Sequence, residues 1–173
     1  MNKSHINKLL IKIATGDQHA FEQLYMETRK GVFSFLYTYL HNYHDSEDAM
    51  QEVYLKIKRY ISYYKPGTNG PAWILQIAKN HALNELNRQN RHQTIDIEDV
   101  VVASEKDEIS DIGYITALMQ RILSEEDQRI LTMHILWGYK HREIAAEMQC
   151  PTGTITSRYK RAIDKLKKAL KDE

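Results

Sequence analysis

Apolar residues in this chain recur three and four positions apart almost from end to end, the spacing of amphipathic helices. Ser4 can cap a first helix that ends at Gly16. Asp17 can cap the next, with apolar positions Ala20, Phe21, Leu24 and Tyr25. A third apolar segment, rich in aromatic residues, runs from Val32 to Leu40 and stops near His41-Asn42. Asp45, with Asp48 three residues on, opens another helix as a variant capping box that reaches about Ile61. Residues 62–71, Ser-Tyr-Tyr-Lys-Pro-Gly-Thr-Asn-Gly-Pro, predict a loop. Pro71 then suits the first turn of a long helix to Arg91. From His92 to about Gly113 the period fails, and it resumes near Tyr114. Ser124 caps a helix through Trp137 that ends at Gly138. A short helix covers about His141 to Gln149, and Pro151 starts a last one running to about Leu170. No segment pair reads as paired strands.

The 173 residues include only 7 Gly and 3 Pro, in keeping with a mostly helical chain. Charge changes the picture more than composition does. Residues 1–91 hold 12 Lys/Arg against 8 Asp/Glu, residues 92–128 hold 2 against 10, and residues 129–173 hold 10 against 5. Two basic ends around an acidic middle suggest two modules that each meet a polyanion. The sequence therefore predicts an all-α protein of two small helical domains, 1–91 and 114–173, joined by an acidic flexible linker over 92–113. No apolar run approaches the roughly 18–20 residues needed to span a bilayer. Lys3, Lys8 and Lys12 interrupt the apolar positions of the amino terminus, which argues against a signal peptide. The single cysteine, Cys150, excludes an internal disulfide framework and a multi-cysteine zinc site. The expected compartment is the cytoplasm.

Three constellations carry candidate chemistry. On the helix from Asp45, Ala49, Met50, Val53, Ile57 and Ile61 share one face at about 100° per residue. Asp48, Gln51, Glu52, Leu55 and Arg59 lie opposite, and a Leu among acids and an Arg reads as a protein-binding face or as a solvated one. The loop supplies Tyr60, Tyr63, Tyr64 and Lys65. The helix after it buries Leu75, Ala78, Ala82 and Leu86 and aligns Trp73, Ile77, Asn80, Asn84, Arg88 and Arg91 on its other face. Aromatics interleaved with cations and amides suit unpaired nucleic acid, because rings stack on bases while cations track phosphates. The same pattern fits interfacial aromatics beside a wet surface.

The third constellation runs from His141 to Arg161, two helices around a tight turn. Ile144, Ala145 and Met148 face inward on the first helix. Ile155, Tyr159, Ala162, Ile163, Leu166 and Leu170 face inward on the second. Thr154, Thr156, Ser157, Arg158, Lys160 and Arg161 are the residues that could meet DNA. Short polar side chains and cations at the start of a helix after a tight turn suit insertion into a major groove. Lys160 and Arg161 can pair with guanine acceptors, and Thr156 and Ser157 can contact bases or phosphates.

Taken together, these motifs resemble the extracytoplasmic-function (ECF) subfamily of sigma-70-type RNA polymerase sigma factors. The resemblance rests on Gly16-Asp-Gln-His-Ala-Phe21, on Asp45-Ser-Glu-Asp-Ala-Met-Gln-Glu-Val-Tyr-Leu-Lys56, on Trp73-Ile-Leu-Gln-Ile-Ala-Lys-Asn-His-Ala-Leu-Asn84 and on Cys150-Pro-Thr-Gly-Thr-Ile-Thr-Ser-Arg158. It implies that Asp48, Gln51 and Glu52, with Leu55 and Arg59 beside them, dock on the β′ clamp of core RNA polymerase. Tyr60, Tyr63, Tyr64, Lys65, Trp73, Asn80, Asn84 and Arg88 would hold the melted strand of the minus-ten element. The carboxy-terminal set would read the minus-thirty-five element as duplex, beside the β flap. Relatives of this kind are commonly held inactive by an anti-sigma factor, which can tether them at the membrane. The chain departs from the usual pattern at Gly70-Pro-Ala-Trp73, where Phe-Arg-Thr-Trp is frequent. It also departs at Lys140, where a Ser cap is usual, and at Asn84, where Asp is frequent.

Two other classes compete with this one. A stand-alone helix-turn-helix regulator would need neither the Asp48–Glu52 face nor the aromatic loop. A helical hydrolase or metal enzyme would have to use His41, His44, Asp45 and Asp48, which read better as loop residues and a helix cap. No phosphate-binding glycine loop, nucleophile elbow or zinc-protease motif is present, so no catalytic residue, metal or cofactor is expected.

Overall fold

A computed structural model describes residues 2–92 and 108–171, with no side-chain account of 91–92 or 108–113. All regular structure among these residues is helical. The chain divides into two compact units, Asn2–Val102 and Ala103–Glu173. The predicted linker lies largely outside the described residues.

The amino-terminal unit contains α1 (Lys3–Ala14), α2 (Gln18–Leu40), α3 (Tyr43–Tyr60), a single 3₁₀ turn (Ile61–Tyr63) and α4 (Gly70–His92). The two segments read from Ala20 to Leu40 are one continuous helix. Gly31 falls inside it, and one interior glycine costs only about 1 kcal/mol relative to alanine, which packing overrides. From Gly31 to Thr38 every residue of α2 is buried, as befits the central helix of a bundle. Ile6, Leu10, Val53, Ile57, Ile74, Ala78 and Ala82 complete that core, each fully buried. One polar contact runs through it. Thr28 Oγ1 donates to the Leu24 carbonyl at 2.6 Å and accepts from the Tyr54 hydroxyl at 2.6 Å. Burial pushes the Tyr54 pKa well above the usual phenol range, so this hydroxyl keeps its proton.

Two caps differ from the sequence reading and a third was not named there, and in each case an asparagine does the work. Asn2 rather than Ser4 caps α1, accepting from the Ser4 and His5 amides. Asn42 rather than Asp45 caps α3, accepting from the Asp45 amide at 3.0 Å. Asn69 accepts from the Ala72 amide at 3.3 Å at the start of α4. Asp17 caps α2 as expected, through the Ala20 amide. Between the 3₁₀ turn and α4, Lys65-Pro66-Gly67-Thr68 forms a tight turn. The Thr68 amide donates to the Lys65 carbonyl at 3.2 Å and Gly67 has φ +86°. Pro at the second position and a left-handed Gly at the third define a type II turn.

The carboxy-terminal unit contains α5 (Glu108–Ile122), α6 (Glu125–Leu131), a wide π turn (Thr132–Leu136), α7 (His141–Glu147) and α8 (Thr152–Ala169). Helix α5 begins six residues before Tyr114, within the stretch read as linker. Ser124 caps α6 as expected, through the Asp127 amide. The helix predicted as far as Trp137 widens at Thr132, and Trp137 itself is fully buried. The core joins Leu118, Met119, Leu123, Leu131, Ala162 and Leu166. Leu170, expected inside, is exposed, because α8 ends at Ala169.

Candidate nucleic-acid and polymerase interface

Helix α3 sorts its residues as the period predicts. Ala49, Met50, Val53 and Ile57 are buried, while Asp48, Gln51, Glu52, Leu55 and Arg59 are all exposed. Leu55 is 56% exposed, a large apolar side chain with polar neighbours on either side. Beside this face, α3 and α4 enclose a cleft lined by Asp45, Asp48, Ala49, Glu52, His81, Glu85 and Arg88. His81, one of the lining residues, accepts from Lys56 Nζ through Nδ1 at 2.7 Å, which requires a neutral imidazole. Burial, and secondarily the Lys56 ammonium, lower the His81 pKa.

The aromatic loop is less open than its composition suggests. Tyr64 is only 5% exposed, its ring tilted against Trp73 with centroids 5.4 Å apart. It lies beneath the type II turn as an anchor, so the structure removes it from the residues free to stack on a base. Tyr60 and Tyr63 are exposed, Tyr63 to 74%. Lys65 is exposed too, and Trp73 is half-buried. On α4, Asn80 and Asn84 are exposed, and Asn80 Oδ1 accepts from Gln76 Nε2 at 2.8 Å. Arg88, expected on the strand-binding stripe, instead lines the acidic cleft. Its guanidinium chelates Glu85, with Nη2 to Oε1 at 2.6 Å, and this pairing depresses the Glu85 pKa.

In the carboxy-terminal unit, α7 and α8 form the expected pair, with Ile144, Ala145 and Ile155 buried between them. Gln149 takes a left-handed φ of 53° in the turn, and Cys150, also in the turn, is half-buried. Lys140 does not cap α7 with its side chain. Its amide instead donates to Glu143 Oε2 at 2.7 Å. Thr154, Ser157, Lys160 and Arg161 are exposed. Two residues predicted to meet DNA are committed elsewhere. Arg158 reaches α6, where Nε donates to Asp127 Oδ1 at 2.7 Å, Nη2 to Ser124 Oγ at 3.2 Å and Nη1 to Glu126 Oε2. The Thr156 hydroxyl donates to the Thr152 carbonyl and accepts from His141 Nδ1 at 3.0 Å.

That last bond fixes the His141 tautomer. The single Thr156 hydroxyl proton goes to Thr152, so Nδ1 carries the imidazole proton. Nε2 is then a buried lone pair with no partner among the described residues. The His141 ring packs against the rings of His134 and Tyr159 at centroid distances of 4.7 and 5.0 Å. Neither reasoning from period nor from spacing found this cluster, because His141 and Thr156 meet only when α7 folds against α8.

Comparison with known proteins follows the same division. The family model described as Sigma-70 region 2 matches residues 24–92, and that described as Sigma-70, region 4 matches residues 115–166. The RNA polymerase sigma-H factor of Pseudomonas aeruginosa is 27% identical over 94% of this chain and 92% of its own length. The ECF RNA polymerase sigma-E factor of Escherichia coli K12 is 29% identical over 89% of this chain and 88% of its own. Among solved structures, CnrH in complex with the cytosolic domain of CnrY aligns with a TM-score of 0.62 at 18% identity, covering 98% of this chain and 99% of CnrH. RpoE of Bartonella quintana, in complex with the anti-sigma factor NepR, aligns with a TM-score of 0.63 at 22% identity, covering 87% of this chain and 96% of RpoE.

Two expectations follow from the geometry. Arg158→Ala should destabilise the carboxy-terminal unit by about 1–2 kcal/mol, read as a shift in the urea midpoint followed by Trp137 fluorescence in a Trp73→Phe background. An unshifted midpoint would show that the contacts to α6 contribute nothing. The second concerns pH. Burial, and then the neighbouring His134, lower the folded-state pKa of His141. The unfolded chain therefore takes up a proton near pH 6.5 that the folded unit resists. Stability should be fully present above about pH 6.5 and decline as pH falls toward the lowered folded pKa. The melting temperature at pH 5.5 should lie below that at pH 7.5, and His141→Gln should shrink the gap.

Proposed function

The chain belongs to the ECF subfamily of sigma-70 RNA polymerase sigma factors, and we propose that the exposed face of α3 docks on core polymerase while its two units meet promoter DNA in different states. It is an alternative sigma factor: it binds core polymerase and directs it to promoters. The observation that carries the surface assignment is the α3 face, where Asp48, Gln51, Glu52 and Arg59 surround an exposed Leu55. Acids around an apolar side chain suit the pattern of a protein interface, with a desolvated centre and a charged rim that selects the partner. On this reading the β′ clamp is the partner of α3.

In the amino-terminal unit, Tyr60, Tyr63, Lys65, Trp73, Asn80 and Asn84 make the surface for the melted minus-ten strand. Stacking on an exposed tyrosine is worth about 1–3 kcal/mol per base. In the carboxy-terminal unit, Thr154, Ser157, Lys160 and Arg161 face the minus-thirty-five duplex, and that unit sits beside the β flap. The protein contributes no catalytic residue, since polymerase performs the chemistry. The two units serve one promoter element each, α1–α4 the minus-ten and α5–α8 the minus-thirty-five. The solved complex of RpoE with NepR supports an anti-sigma partner for this chain too. The working compartment is the cytoplasm, where core polymerase and DNA are. No described helix is long and apolar enough to cross a membrane, so tethering at one would fall to that partner.

The direct test is transcription in vitro with sigma-free polymerase on a promoter library. The expected result is initiation from a defined subset, and the absence of any new start site would refute the reading. Glu52→Lys should weaken capture of core polymerase while leaving binding to a minus-thirty-five duplex intact, and unchanged capture would move the docking face elsewhere. Arg161→Ala should relax discrimination at one base pair by about 1–3 kcal/mol. Uniform weakening on every sequence, with a shallower salt dependence, would make Arg161 a phosphate contact instead.

A further inference from the structure

Helix α1 precedes the residues that the region 2 model matches, yet one of its side chains is fastened to the aromatic loop. Asn7 Nδ2 donates to the Thr68 carbonyl at 2.9 Å, and Asn7 Oδ1 accepts from the Gly70 amide at 2.8 Å. A backbone N–H must meet an oxygen and a carbonyl must meet an N–H, so these two contacts fix the orientation of the amide. The pair spans the point where the loop enters α4.

The glycine at position 70 is part of the same arrangement. A Cβ there would lie 2.5 Å from Asn7 Oδ1 and 2.8 Å from Leu10 Cδ1, and Leu10 is fully buried. A side chain at position 70 would therefore require Asn7 or the buried Leu10 to shift. The rest of the loop is restrained as well. Its tip is the type II turn, closed a second time by Thr68 Oγ1 donating to the Lys65 carbonyl at 2.7 Å. Tyr64 is buried beneath it. The exposed residues Lys65, Pro66, Gly67 and Thr68 are therefore held on a frame tied at both ends.

We propose that Asn7 is a positioning residue for promoter opening: it locks the stem of the Lys65–Thr68 turn, so that the exposed side of the loop meets unpaired bases in a preformed shape. This rests on the reading of the loop as a single-strand contact given above. A mobile loop would lose conformational freedom on capturing a base, and a fastened one has already lost it. Asn7 touches no nucleic acid on this account. Its effect falls on which bases are preferred within the melted element, and not on attachment to polymerase.

The experiment uses the full chain with bacterial core polymerase and a promoter library randomised across the melted element. Asn7→Ala should flatten base preference at one or two positions by about fivefold, the size expected for losing neutral hydrogen bonds. Capture of core polymerase and affinity for a minus-thirty-five duplex should stay at wild-type values. Asn7→Asp has nearly the same shape, so it guards against misfolding. It keeps the acceptor for Gly70 but sets an anionic oxygen against the Thr68 carbonyl, and it should flatten the preference at least as much. Lys8→Ala, an exposed neighbour on α1, should leave the preference unchanged. If the wild-type chain starts no transcription, the reading of the protein as a sigma factor falls and this proposal falls with it. If the wild type initiates and both Asn7 variants keep its base preference, the positioning role alone is overturned. That role is overturned equally if both variants weaken every promoter to the same degree and lose polymerase capture, since that is the signature of general structural damage.

Discussion

The amino-terminal unit depends on burying the second half of α2 from every direction. Gly31 to Thr38 carry no exposed side at all, so the other helices of the unit must pack around them. Helices α1, α3 and α4 each pack against α2, and each then has a face left over. The α3 face carries acids around Leu55, the α4 face carries Asn80 and Asn84, and α1 contributes Asn7 to the loop. The placement of the candidate functional groups is thus a by-product of where the apolar stripes must go. Apolar area removed from water is the dominant favourable term in folding, and it leaves the polar positions free to be used.

Much of this was legible in the residue pattern. The period on α3 separates Ala49, Met50, Val53 and Ile57 from Asp48, Glu52 and Leu55, and the structure divides them the same way. The helix pair around Gln149 is equally plain, because Ile144, Ala145 and Ile155 have the spacing of a crossing and a turn intervenes. A periodic helix reports its own inner face, since 3.6 residues per turn is a local rule.

What was not legible depends on partners distant in the chain. Tyr64 has the composition of a base-stacking residue, but its surroundings decide that it lies under the turn. Arg158 is 31 residues from Asp127 in sequence, and nothing in its own helix signals that α6 will claim it. Arg88 is claimed by Glu85 on its own helix, three residues away, a spacing that was visible but outweighed by the stripe it extends. The caps differ for a subtler reason. Ser4 and Asp45 are good capping residues, yet Asn2 and Asn42 stand before them, and the helices simply start earlier. The unbroken α2 was hidden by Gly31, which punctuates a sequence more strongly than it interrupts a buried helix.

The brace from Arg158 to α6 has a consequence for orientation. Glu125, Glu126 and Asp127 occupy the first turn of α6, where negative charge is favoured by the helix dipole. The same negative charge repels phosphate. Arg158 fastens α6 to one side of α8, so these acids disfavour the approach of a polyanion there, while the exposed Lys160 and Lys167 lie on the opposite side at about 100° per residue. On the proposed reading, a duplex would approach α8 from the Lys160 side, its direction set by repulsion as much as by contact.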